Sequence, residues 1–199
     1  MNQPHLANLC GLNGADGQRN KPSSDRSPSR LTLGQFSEPR LLIPRLLSDC
    51  QDGAIRELVK RLEATSRINH VSAFLEAVLN REAEFPTFIE GAAVPHARGG
   101  AVQQLSFALG LSAPGIPWGR DKSRIAHAVF LFAVPLREAR TYVWLLSGLS
   151  ALIQDERAFM ALRRATQPEQ MLRILHEVRA GRSASSTVNR AAPPLMHQS

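Results

Sequence analysis

The residues with the most chemistry in this sequence stand together at Val94-Pro95-His96-Ala97-Arg98. A neutral imidazole is a nucleophile at physiological pH, and the proline before His96 holds φ fixed at its own position. Arg98, two residues on, presents a rigid fork of N–H donors suited to an oxyanion or a phosphate. Small residues flank the pair, Gly91-Ala92-Ala93 before it and Gly99-Gly100 after it, and such residues let backbone approach a ligand closely. The combination suits a histidine that carries a phosphoryl group.

The other histidines offer less. His127 lies in an apolar run between Ala126 and Ala128 and reads as a partly buried strand-end residue with one hydrogen bond. It is also the one other histidine in a position to partner His96. His70 falls in the first turn of a helix, and His176 near the C-terminal end of another, where a charged imidazole meets the negative end of the dipole. His5 and His197 lie in the terminal stretches. No two histidines have the H-x3-H spacing of a zinc site, and Cys10 and Cys50 supply neither a disulfide framework nor four metal ligands. No metal and no cofactor are expected. Glu90 is the one carboxylate in the small-residue loop, so paired-carboxylate hydrolysis has no basis. Neither G-x-S-x-G nor GxxxxGK[ST] occurs.

Recognisable elements flank the loop. Leu41-Leu42-Ile43 before Pro44 reads as a short strand. Asp52 opens a helix with apolar positions Ile55, Leu58, Val59 and Leu62, and Asn69 opens a second with Val71, Phe74, Leu75, Val78 and Leu79. After the loop, which spans 85–100, Leu105, Phe107, Leu109 and Leu111 alternate as in a half-buried strand. The stretch 114–119 reads as a turn, and Ile125 to Val134, apolar on both faces, as a central strand. Helical stripes follow at Tyr142, Leu145, Leu146, Leu149, Leu152 and Ile153, then at Phe159 and Leu162 after an Asp155 cap. A last stripe holds Met171, Ile174, Leu175 and Val178, behind a Thr166/Glu169 capping box and Pro168. The sum is an α/β domain, a small sheet with helices against it.

Composition limits what this domain does. The chain has 199 residues, 43% of them hydrophobic, and its longest apolar run, residues 126–135, is far short of a membrane span. The N-terminus lacks the apolar run of a secretory signal, and two reduced thiols fit a cytoplasmic setting. No membrane insertion is expected. The net charge is +7 and the pI about 10.6. Yet residues 41–179 hold 17 basic and 14 acidic side chains, no dense basic block occurs, and aromatics are 6%. A nucleic-acid partner is therefore not expected. Residues 1–30 and 180–199 are polar, Ser- and Pro-rich and without period, and read as disordered tails around a domain over 31–179.

This region resembles the type-2 IIA domains of the bacterial phosphoenolpyruvate-dependent phosphotransferase system, the mannitol/fructose and nitrogen-regulatory class. The matching residues are Arg81-Glu82, Thr87, and Gly91-Ala92-Ala93-Val94-Pro95-His96-Ala97-Arg98. Ala108-Leu109-Gly110, Gly115-Ile116-Pro117-Trp118 and the run from Val129 to Pro135 follow in family order. The resemblance implies a single mixed β-sheet flanked by helices, with the phospho-accepting histidine at a sheet edge. It implies that His96 receives a phosphoryl group from an HPr-like phosphocarrier protein, that Arg81 lines the site, and that Thr87 lies close to it. Arg98 and backbone N–H groups of the glycine-rich loop are further candidates for holding phosphoryl oxygens. The loop from Thr87 to His96 is one residue shorter than the family's. The family also has a second histidine near the start of the helix after the Phe-rich strand, and Tyr142 stands there instead. A phenol donates a hydrogen bond but stays neutral at pH 7.

With no transporter domain in this sequence, the resemblance implies a phosphoryl relay that regulates a downstream partner, as in the nitrogen-regulatory branch. Two alternatives stay open: an unphosphorylated binding module of the same fold, and a sugar-specific IIA component of fructose or mannitol uptake.

Overall fold

The computed structural model describes residues 31–120 and 122–181. The tail expected over 1–30, and all but the first two residues of that over 180–199, lie outside them. In chain order the elements are β1 (Leu42–Ile43), α1 (Gln51–Ala64), α2 (Val71–Glu84), β2 (Phe88–Ile89), β3 (Ala92–Ala93), β4 (His96–Arg98) and β5 (Ser106–Trp118). They continue with β6 (Arg124–Val134), α3 (Ala139–Gln154), α4 (Glu156–Arg163) and α5 (Pro168–Glu177).

One mixed sheet organises the molecule. β5 pairs antiparallel with β6 on one side and parallel with β1 on the other. Along the opposite edge of β6 run β3 and then β4, both parallel to it, and β2 pairs antiparallel with β3. Among the described residues β4 pairs with β6 alone, so it is an edge strand.

The alternation of β6 explains its apolar character on both faces. Phe130, Phe132 and Val134 join β5 residues Phe107, Leu109 and Leu111 in a core closed by α3, α4 and α5. Val129, Leu131 and Ala133 face the other way, into a core closed by α1 and α2. Apolar periodicity drives the helices as expected: Ile55, Leu58, Val59 and Leu62 of α1 are buried, as are Leu145, Leu149, Leu152 and Ile153 of α3. None of these helices is long and apolar enough to cross a membrane.

Several local expectations need correction. Residues 114–119 are not a turn between strands: β5 runs through to Trp118, with a register shift between Leu111 and Ile116 that absorbs Pro114 and Gly115 as a bulge. Cross-strand pairing to β6 overrides the local turn chemistry. Helix α1 starts after Cys50, with Asp52 in its first turn, and α2 starts after His70 rather than Asn69. Asp155 does cap α4, its side chain accepting from Ala158 N at 3.0 Å. The Thr166/Glu169 box is absent; Gln167 is the N-cap, and Thr166 N donates to Gln170 Oε1. At the ends of the described unit, Leu33 N donates to Val178 O and Ala180 N to Leu31 O, flanking an antiparallel bridge between Thr32 and Arg179.

Candidate functional site

The loop that carries His96 is a chain of three very short strands. β2 and β3 form a hairpin whose two connecting residues, Glu90 and Gly91, both have positive φ, 37° and 86°. Two such residues make the turn whose twist suits a two-residue hairpin, and glycine takes the second without strain. Gly91 thus serves the turn rather than a ligand's approach. Ala92 and Ala93 are small because they are fully buried against β6. Pro95 then interrupts the ladder with no N–H of its own, while its carbonyl accepts from Phe132 N at 3.0 Å and keeps the chain docked.

His96 enters the sheet beside Phe132, and Arg98 beside Val134. Strand alternation puts both on the face covered by α3, with Ala97 turned into the opposite core. His96 is half-buried. Its Nδ1 lies 3.2 Å from the carbonyl oxygen of Val94. A carbonyl only accepts, so Nδ1 carries the proton and Nε2 keeps the lone pair.

Tyr142, in the first turn of α3, packs against this imidazole with ring centroids 5.4 Å apart, and edge-on against Phe132 at 5.5 Å. The second ring expected near the histidine is therefore present, as a phenol. Burial pushes the Tyr142 hydroxyl above its ordinary range, with Arg81 opposing and Glu82 adding to the shift. It remains a neutral donor at physiological pH.

Burial likewise lowers the His96 pKa; the Val94 carbonyl opposes this and the Arg81 guanidinium adds to it. Arg81, exposed near the end of α2, thus acts electrostatically on both rings from around the sheet edge. Arg98 is exposed on the same strand face as His96, and its Nη2 donates to Leu136 O, which ties β4 to the loop after β6. Thr87 N donates to Glu82, and Thr87 O accepts from Val94 N at 2.9 Å. Of the loop N–H groups offered as phosphoryl ligands, those of Val94 and Gly99 are already spent, the latter on Val134 O.

His127 is not brought to the site. It sits five residues from Phe132 along β6, about 16 Å at the usual strand rise, and its Nδ1 lies 3.2 Å from Ser112 O at the bulge. One residue of the site had no role assigned from sequence. Glu82 is 1% exposed, and its carboxylate accepts from Trp118 Nε1 at 3.0 Å and Thr87 N at 3.2 Å. Its signal was present: Phe74, Val78 and Glu82 fall at i, i+4 and i+8, so a carboxylate occupies the third position of a buried stripe.

Known proteins share this fold and sequence. The sequence model of the phosphoenolpyruvate-dependent sugar phosphotransferase system, EIIA 2, matches residues 42–178. The 2-O-alpha-mannosyl-D-glycerate-specific EIIABC component of Escherichia coli is 33% identical over 144 residues, 71% of this chain but only 22% of that longer protein. The fructose-specific EIIA component of Haloferax volcanii is 30% identical over 129 residues, 64% of this chain and 84% of its own. Among solved structures, the nitrogen regulatory protein IIA-Ntr of Neisseria meningitidis superposes with a TM-score of 0.64 at 20% identity, covering 71% of this chain and 97% of that one. With the matched family spanning most of the described fold, the chain belongs to the type-2 EIIA family of the phosphoenolpyruvate-dependent phosphotransferase system.

Proposed function

We propose that this protein is a phosphoryl relay in which His96 accepts a phosphoryl group at Nε2 from an HPr-like phosphocarrier and regulates a partner through its phosphorylation state. The observation that carries the reading is the Nδ1 contact with the Val94 carbonyl, which leaves Nε2 as the nucleophilic nitrogen on an edge strand. In the transfer, the Nε2 lone pair forms the new N–P bond while the donor imidazole's N–P bond breaks and its nitrogen keeps the electron pair. Little covalent chemistry is asked of the protein; its part is positioning and charge stabilisation. Arg81, Arg98 and the Tyr142 hydroxyl are the donors available to the phosphoryl oxygens, with Thr87 holding the loop. The depressed His96 pKa keeps the imidazole neutral, and so nucleophilic, through physiological pH.

The test is transfer from phosphoenolpyruvate through enzyme I and HPr, or its nitrogen-branch counterpart, read by intact mass. A gain of one phosphoryl group that His96→Gln abolishes is the expected result. Labelling of His96→Gln to the same extent, or no labelling of the wild type by either donor, refutes the reading. A second reading, a sugar-specific EIIA component, is favoured by the names of the similar curated proteins, which are specific for mannosyl-glycerate and fructose. It predicts onward transfer to a IIB component, which a purely regulatory relay does not require.

A further inference from the structure

We propose that Glu82 is a positioning residue for His96: its buried carboxylate holds Thr87, and through Thr87 and Val94 sets the imidazole with Nδ1–H inward and Nε2 outward. The inference rests on the reading of His96 as the phosphoryl acceptor.

The hydrogen bonds form an unbroken series. The indole of Trp118, fully buried at the end of β5, donates to Glu82 Oε2 at 3.0 Å. The same oxygen accepts from Thr87 N at 3.2 Å. Thr87 O then accepts from Val94 N at 2.9 Å, and Val94 O faces His96 Nδ1 at 3.2 Å. The series starts on a core tryptophan and ends on the reacting ring.

The chemistry of the position argues the same way. On the buried stripe of Phe74 and Val78, an apolar side chain would pack without the desolvation that a carboxylate suffers. What the carboxylate adds is acceptor capacity for donors that converge from β5 and from the loop. Both donors meet Oε2, so a glutamine oxygen there accepts them as well, whereas Leu leaves both facing an apolar group. Thr87 then loses its tether, and the carbonyl of Val94 no longer has one fixed orientation toward His96. The imidazole is free to sample the other tautomer, which places a proton on the attacking nitrogen.

The experiment pairs nitrogen NMR of the His96 imidazole with transfer kinetics from phosphorylated HPr. In the wild type, His96 is expected as a single Nδ1–H tautomer; a predominant Nε2–H form overturns the proposal without any variant. Glu82→Leu is expected to give mixed tautomers and to slow transfer at saturating donor by about tenfold or more, with the KM for donor within about twofold of wild type, while Glu82→Gln, which keeps the acceptor, is expected to stay closer to wild type. Trp118→Phe removes one donor from the same carboxylate but leaves the Thr87 bonds, and is expected to transfer within about twofold of wild type once folded. Retention of a single tautomer and full rate in Glu82→Leu overturns the proposal. An equal loss in Trp118→Phe does so too, since it reduces Glu82 to a part of the core. Should Glu82→Leu not fold, Glu82→Asp keeps a carboxylate but shortens the reach, and the same tautomer shift is expected. If the wild type takes no phosphoryl group, the relay reading falls while the NMR comparison still decides on Glu82.

Discussion

Replacing Tyr142 by histidine is expected to stabilise the phosphorylated form, by an amount the site geometry sets. At the 5.4 Å ring separation, two unit charges interact by about 3 kcal/mol at an effective dielectric of about 20. Solvent at this half-open site reduces that to about 1.4–2.7 kcal/mol, about a ten- to hundredfold shift in the transfer equilibrium. The empty site does not favour the cation: burial already lowers the pKa of His96 there, with Arg81 adding to it. The introduced imidazole is therefore neutral before transfer and takes up a proton when the phosphoryl group arrives. Its pKa is raised in the phosphorylated state, so the gain is fully present below the pKa of the unphosphorylated state, under about 6.5, and is lost as pH rises through the phosphorylated-state value. The assay measures how the phosphoryl group partitions between HPr and Tyr142→His, by intact mass, from pH 6 to pH 9. A partition unchanged from wild type at pH 6, or an equal gain at pH 6 and pH 9, refutes the reasoning.

Three further outcomes follow from the same geometry. Because burial depresses the pKa of His96, the acid limb of the transfer rate is expected below pH 6.5, and wild type is expected to lose stability relative to His96→Gln as pH falls from there through the folded-state value. Denaturant titrations at several pH values check this, and a wild type that holds or gains stability relative to His96→Gln as pH falls contradicts it. Gly91→Ala has room for its methyl group, the nearest atom being Phe159 Cε1 at 3.9 Å, so its cost is conformational. A left-handed alanine at φ 86° is expected to cost about 1–2 kcal/mol, and an unchanged melting temperature counts against the hairpin reading. Phe132→Ala empties a fully buried site between the Phe107 and Tyr142 rings, and a loss of about 3–5 kcal/mol in urea unfolding is expected; a loss under about 1 kcal/mol contradicts that packing.

Legibility in the sequence followed the length of each element. The apolar run from Ile125 to Val134 announced a central strand because both of its faces are buried, and the stripes of α1 and α3 announced helices that pack on one face. The segment from Phe85 to Gly100 looked like loop because β2, β3 and β4 are two or three residues long, too short for a period of two to register. Only pairing with β6 makes them strands, and that pairing is not local information. Pro114 and Gly115 gave a turn signal for the same reason: the register shift lies inside a hairpin whose two arms are held elsewhere. His96 stood out by its neighbours, and Tyr142 by its place in a family pattern. Glu82 did not stand out, since a glutamate near the end of a helix ordinarily faces water, and its donors are Thr87 and Trp118, the latter far along the chain.

The bridge between Thr32 and Arg179 bears on how such a unit can be reused. Bridged residues of antiparallel neighbours have Cα atoms about 5 Å apart, so the two ends of the described unit lie at nearly one point. A fold with adjoining ends can be spliced into a host polypeptide, at a loop or beside another domain, without stretching either partner and with little loop-closure entropy to oppose it. Gene fusion and gene separation then act on the same folding unit, and neither requires the sheet that presents His96 to be rebuilt.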